Sequence, residues 1–177
     1  MTFFDLSDLG WSPFFQSSFD SLDPCELRPA RVVRAEREHY LLAHGFGLSH
    51  AVLAGKLRHE ARSPCDLPVV GDWVAARAVG VDNAARQSVG REETLPGTSR
   101  IEAVLGRRTL ITRRDPSGGG ASQALAANAD LMLLAAGLDH DFNPRRLERG
   151  VALAREAGAE PVVLLTKADL RPDCSRE

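Results

Sequence analysis

Four residues near the end of this 177-residue chain carry the densest chemistry in it: Thr166, Lys167, Ala168 and Asp169. They follow Pro161 and a run of branched apolar residues, Val162 to Leu165, with no polar alternation. Such a run predicts a strand covered on both faces, as in a parallel sheet. Ligands of parallel sheets sit at the carboxyl ends of the strands, which is where these four residues fall. A hydroxyl, an ammonium on a long methylene stem and a carboxylate are thereby offered together. Of 22 basic residues only Lys56 and Lys167 are lysines, so a lysine at this position stands out from the Arg used elsewhere.

The pattern [Asn/Thr]-Lys-x-Asp after an apolar strand resembles the guanine-reading motif of P-loop GTPases. Guanine offers two neighbouring donors, its ring N–H and its exocyclic amine, and one carboxylate can accept both. Adenine presents a different pattern and would leave that carboxylate unpaired. On this resemblance Asp169 reads the base, Lys167 lays its stem along it, and Thr166 braces the loop in place of the usual Asn. The plainer alternative is a solvated loop after a core strand.

The elements that would hold this loop read as a βαβ unit. Leu131 to Ala136 is an apolar strand. Asn143 is a suitable helix N-cap, with Pro144 at the first helical position. Leu147, Val151 and Ala154 give one apolar face, and Gly158 supplies a stop. Two parallel strands joined by a right-handed crossover follow. Upstream, Gly118 to Gly120 lie in no G-x-x-x-x-G-K-[S/T] pattern. Gly55-Lys56 also fails as a phosphate-binding loop, because Leu57 follows it and His50 occupies the first glycine position. Residues 115–122 therefore read as a linker, and 123–177 as an incomplete nucleotide-binding domain.

Residues 28–114 have a β texture. Short apolar runs at Ala30–Ala35, Tyr40–Ala43, Ala51–Leu57, Val69–Val79 and Ile101–Thr112 alternate with turn signals. Five short strands with no helix pattern between them predict a Greek-key barrel of the OB type, with Trp73 and Val79 in its core. The stretch from Val81 to Ser99 reads as a long loop. This segment carries fifteen basic and nine acidic side chains, whereas residues 1–27 carry five acids and no base, and residues 115–177 seven bases and ten acids. A basic barrel between acidic pieces points to nucleic acid. Arg31, Arg34, Arg37, Arg58, Arg62, Arg107, Arg108, Arg113 and Arg114 are the candidate phosphate contacts. With only Tyr40, Phe46 and Trp73 as aromatics, backbone and shape recognition is expected, as in structured RNA. The bland alternative is an Arg-rich surface paired with nearby Glu.

Residues 1–27 form an acidic leader in which Trp11, Phe15, Phe19 and Leu22 recur at helical spacing behind Ser12-Pro13. Packing on its own domain is the favoured reading, with a linker around Asp23-Pro24. Cys25, Cys65 and Cys174 have no metal or redox spacing and read as free thiols of a reducing cytosol, and the five histidines form no metal-like group. No apolar run reaches membrane-span length, and the N-terminus is not a secretory signal.

The ordered set is an acidic Leu-Gly-Trp leader, a basic barrel carrying Val70-Gly-Asp-Trp-Val74, then Gln123-Ala-Leu-Ala-Ala-Asn-Ala-Asp130, then Thr166-Lys-Ala-Asp169. It resembles the N-terminal portion of the circularly permuted, ribosome small-subunit-dependent GTPase A family, with Gly106 where the family usually has Pro. The resemblance implies an OB domain followed by a permuted G domain whose guanine motif precedes its P-loop. It further implies GTP or GDP and Mg2+ as ligands, a Zn2+ site in a C-terminal domain, and a cytoplasmic, monomeric protein. Late maturation of the 30S subunit would be its function, with the barrel on 16S rRNA. The P-loop, the magnesium ligands and the zinc ligands do not occur in these residues, so the chain alone is expected neither to hydrolyse GTP nor to hold it tightly, and its last sixty residues to be poorly stable. A non-enzymatic OB-fold RNA-binding module with a vestigial G-domain start is the competing expectation.

Overall fold

A computed structural model describes residues 5–22, 26–78, 98–114 and 122–170. Val79, the stretch 81–97, the glycines of 115–121, Cys25, Cys174 and the Asp23-Pro24 linker lie outside the described residues. The chain divides into two compact units, Met1–Arg107 with Thr112–Ala127, and Arg108–Ile111 with Asn128–Glu177.

The first unit is built on a closed barrel. Its strands are β1 (Leu27–Glu36), β2 (His39–His44), β3 (Gly47–Leu53), β4 (Trp73–Ala78) and β5 (Ser99–Val104), in the spatial order β1-β2-β3-β5-β4. All neighbours are antiparallel except β3 and β5, which run parallel with Ala51 opposite Ser99 and Leu53 opposite Ile101. That single parallel closure, after a β1-β2-β3 meander, is the OB-like arrangement expected from the spacing of the strands. Alternate side chains point inward, so Ala30, Val32, Tyr40, Leu42, Val74 and Ile101 form the core. A bulge between Val32 and Arg34 lets β1 curl, and Val33 is left outside, 41% exposed.

Two apolar runs break where the sequence reading kept them whole. The run Ala51–Leu57 ends as a strand at Leu53 and turns at Gly55 into a short helix, α2 (Gly55–Glu60), which places Leu57 on a helix between β3 and β4. The run Ile101–Thr112 splits into β5 and β6 (Leu110–Arg114), because the ladder with β4 makes its last bond from the Leu105 N–H to the Trp73 carbonyl and Arg107 then turns inward. β6 pairs with β7 (Ser122–Ala127), a strand not anticipated in the sequence.

The leader does pack on its own unit. Helix α1 (Pro13–Asp20) starts behind Ser12 with Pro13 in its first turn. It buries Phe15 and Phe19 with Trp73, Ala75 and Leu105. Trp11 meets Trp73 edge-on at 4.6 Å, and Arg31 lies 5.9 Å from the Trp73 ring while donating to the Leu9 carbonyl.

The second unit is the βαβ. Strands β8 (Leu131–Gly137) and β9 (Glu160–Thr166) run parallel in unbroken register, from Leu131 opposite Glu160 to Gly137 opposite Thr166. Between them α3 (Pro144–Glu156) begins at Asn143, whose side chain accepts from the Arg146 N–H, and stops before Gly158 at φ +83°. Its Ala154 is fully buried, and Gly150 sits against Leu134. The expectation that Val162–Leu165 would be covered on both faces is corrected. Val163, Leu164 and Leu165 are 45%, 50% and 47% exposed and Leu133 is 66% exposed, because one helix covers only part of a two-stranded sheet.

Candidate functional site

The loop after β9 is held by its parallel neighbour. The Leu138 N–H donates to the Thr166 carbonyl at 2.9 Å, carrying the ladder one step beyond the strand. The Thr166 hydroxyl donates to the Ala136 carbonyl at 3.3 Å, so it braces the loop across to β8. Lys167 then turns the chain through a left-handed conformation at φ +59°. For a residue with a Cβ this costs about 1 kcal/mol, and such costs cluster at functional loops. A single 3-10 turn, Ala168–Leu170, follows, with the Leu170 N–H on the Lys167 carbonyl. Thr166, Lys167, Ala168 and Asp169 are all exposed, at the carboxyl ends of both strands.

Three residues that sequence reasoning missed, Asp139, Asp141 and Gly137, complete this loop. The Lys167 ammonium pairs with the Asp139 carboxylate. Asp139 also accepts the Asp141 N–H at 3.1 Å. The hydrogen bond from Lys167 and then that from Asp141 hold the Asp139 carboxyl below its ordinary range, and the same pair raises Lys167. Gly137 lies beneath, where an added Cβ would stand 3.1 Å from both the Lys167 stem and the Asp139 carboxylate. The signal was present: equal strands ending at Gly137 and Thr166 put the first acid past β8 beside the motif.

The candidate RNA contacts fall into different environments. Arg34 and Arg58 are mostly exposed and pair with Glu36 at 3.8 Å and Glu38 at 2.6 Å, and the exposed Arg37 sits between those two acids in the β1–β2 turn. Arg34 and Arg37 thus flank the β1–β2 turn, and Arg58 reaches it through Glu38. Arg31 is half-buried against the leader. Arg62 and Arg113 are exposed, and Arg108, in the second unit, stands 3.8 Å from Asp130. Of Arg114 only the backbone, at the end of β6, is described.

Arg107 is corrected. Four of its N–H donations go to Asp72, twice, and to the carbonyls of Cys65 and Leu67, between 2.5 and 2.9 Å. Asp72 is fully buried and also accepts the Val69 N–H. A guanidinium has five N–H groups, so Arg107 has little left to offer a phosphate. Its partner was visible as an acid inside the apolar run Val69–Val79. The adjacent Gly71, at φ +91°, has no room for a side chain, since a Cβ would lie 2.0 Å from the Ala127 carbonyl oxygen. The motif Val70-Gly-Asp-Trp-Val74 is thus a folding device. Of the barrel aromatics, Tyr40 and Trp73 are buried, and Phe46 is half-exposed beneath Arg28 at 4.9 Å.

Among the described residues no group of three or more His, Cys, Asp or Glu could hold a metal, and no helix is long and apolar enough to cross a membrane.

Residues 104–176, which include β8, α3, β9 and the Thr166–Asp169 loop, match the family described as RsgA GTPase. A small ribosomal subunit biogenesis GTPase RsgA from Opitutus terrae is 43% identical over 168 residues, 95% of this chain and 44% of the relative. The chain matches the N-terminal part of the RsgA GTPase family. The RsgA protein of Syntrophotalea carbinolica is 37% identical over 96% of the chain and 44% of its own length. The chain thus spans under half the length of these RsgA relatives. Two solved structures share the fold across 84% of the chain and 44% of their own: YjeQ from Thermotoga maritima (TM-score 0.56, 20% identity) and YloQ, described as a circularly permuted GTPase (TM-score 0.54, 16% identity). The RsgA assignment accounts for a closed OB-like barrel followed by a partial α/β region in one chain.

Proposed function

We propose that this chain supplies the RNA-binding barrel and the guanine-reading loop of a GTPase that acts in assembly of the small ribosomal subunit. The observation that carries this is the Thr166–Asp169 loop, set at the carboxyl ends of two parallel strands within a chain whose RsgA relatives are named for that role. Asp169 accepts the two guanine donors, Lys167 and Ala168 line the base, and Thr166 braces the loop. On this reading the domains are a leader at 1–27, the barrel at 28–114, a linker at 115–122 and the start of a permuted G domain at 123–177. The barrel meets 16S rRNA of the 30S subunit in the cytoplasm, as a monomer, through Arg34, Arg37 and Arg58 with help from Arg31, Arg108, Arg113 and Arg114. Arg107 serves that surface by bracing the barrel.

Phosphoryl transfer needs a P-loop and magnesium to stabilise charge. These residues contain no such loop, so hydrolysis by the 177 residues alone is expected to be undetectable, and the zinc site expected of the family adds no step.

The test is a titration of the chain with guanosine and adenosine diphosphates. The guanine nucleotide should bind in preference, and Asp169→Asn should weaken it by about 2 kcal/mol, the worth of hydrogen bonds to a charged acceptor. Equal binding of both nucleotides would sink the guanine reading. A second arm measures co-sedimentation with 30S subunits against salt, where log affinity should fall linearly with log salt. Subunit binding with no nucleotide preference would leave the RNA-binding module as the function.

A further inference from the structure

We propose that Asp139 is a positioning residue for the guanine-reading loop, holding Lys167 so that its methylene stem forms a fixed wall at the nucleotide site. The proposal rests on the guanine reading of Thr166–Asp169 and deepens it by adding a residue from the loop that follows the neighbouring strand β8. Three observations converge. Asp139 pairs with the Lys167 ammonium and is itself held by the Asp141 N–H, so the carboxylate is anchored before it meets the lysine. Its side chain is only 14% exposed, whereas that of Lys167 is 55% exposed, so the carboxylate is the seated partner and the lysine stem faces outward. Gly137 has no side chain, and the lysine stem crosses its backbone where an added Cβ would lie 3.1 Å from Cδ and 3.3 Å from Cε.

The physical consequence is preorganisation. A free lysine stem samples many rotamers, and a base that stacks on it must first order it. With its ammonium tethered, the stem is already ordered. The tether also neutralises the lysine charge locally, so the stem presents apolar surface to the base while the ammonium keeps a polar partner. Asp139 touches no nucleotide in this scheme. It acts through Lys167.

The chain has only two lysines, Lys56 and Lys167, which makes the test direct. Lysine side chains labelled with 13C and 15N would be followed by NMR in the 177-residue chain, with and without guanosine diphosphate. In the wild type, the Lys167 methylene protons should be inequivalent and its ammonium should titrate above the ordinary lysine range. In Asp139→Asn the inequivalence should collapse, the titration should fall back toward the ordinary lysine range, and guanosine diphosphate should bind several-fold more weakly. Asp139→Glu, which keeps the charge, should recover part of both. The thermal midpoint of the second unit serves as a control, since a purely structural role would lower it without freeing Lys167 selectively. Unchanged Lys167 signals in Asp139→Asn would overturn the proposal. So would a freed lysine with unaltered nucleotide affinity. If the wild type showed no preference for guanosine over adenosine diphosphate, the guanine reading would fall, and the proposal with it. A wild type with that preference and an equally competent Asp139→Asn would remove Asp139 alone.

Discussion

At the scale of single residues, the same side-chain type does opposite work in this chain. Arg34, Arg37 and Arg58 hold their charge at the surface, while Arg107 spends its charge inside, on Asp72 and two carbonyls. Burial alone would lower the Arg107 pKa, but the hydrogen bonds and charge of Asp72 outweigh it and leave the group more firmly protonated than usual. Removing one partner of such a pair strands the other. Arg107→Ala should therefore destabilise the barrel by about 3 kcal/mol in urea denaturation, whereas Arg37→Ala should leave stability within about 0.5 kcal/mol. Arg107→Lys should recover only part of the loss, since an ammonium cannot reproduce the fork that meets Asp72 twice.

At the scale of elements, helix α1 is a lid sealed by aromatic packing. Phe15 and Phe19 reach Trp73 while Phe14, one residue away, faces solvent at 48% exposure. Phe15→Ala should cost about 3 kcal/mol of barrel stability, as cavity formation at a buried aromatic does. Phe14→Ala should cost about 0.5 kcal/mol, and differential scanning calorimetry on both variants separates the two. Equal effects would mean that α1 is not docked as described. The periodicity of the leader made this helix readable, since Phe15 and Phe19 are four residues apart and so share a face. The end of β3 was less readable. Ala51 to Leu57 is continuously apolar except at Gly55 and Lys56, and such a run does not say where strand gives way to helix.

At the scale of the whole molecule, the two units differ in closure. The barrel has no free edge, whereas β8 and β9 form a two-stranded sheet with one helix and an open apolar face at Leu131, Leu133, Val162 and Leu164. Hydrogen exchange should report this directly. Amides of β8 and β9 should exchange faster than those of β1, β2 and β4 by an order of magnitude or more, because opening a small unit exposes less surface. Uniform protection across both units would show that they unfold together.

Periodicity, turn residues and one rare lysine by themselves determined the barrel, the βαβ unit and the Thr166–Asp169 loop, because each is written in contiguous residues with a local physical signature. What only the tertiary structure decided were the long-range partners. Asp139 comes to Lys167 from 28 residues away, and Arg107 to Asp72 from 35. Gly71 is tied to the Ala127 backbone and Arg31 to the leader. A side chain's role depends on what the fold brings opposite it, and charge pairing, unlike apolar alternation, leaves no period in the sequence to read.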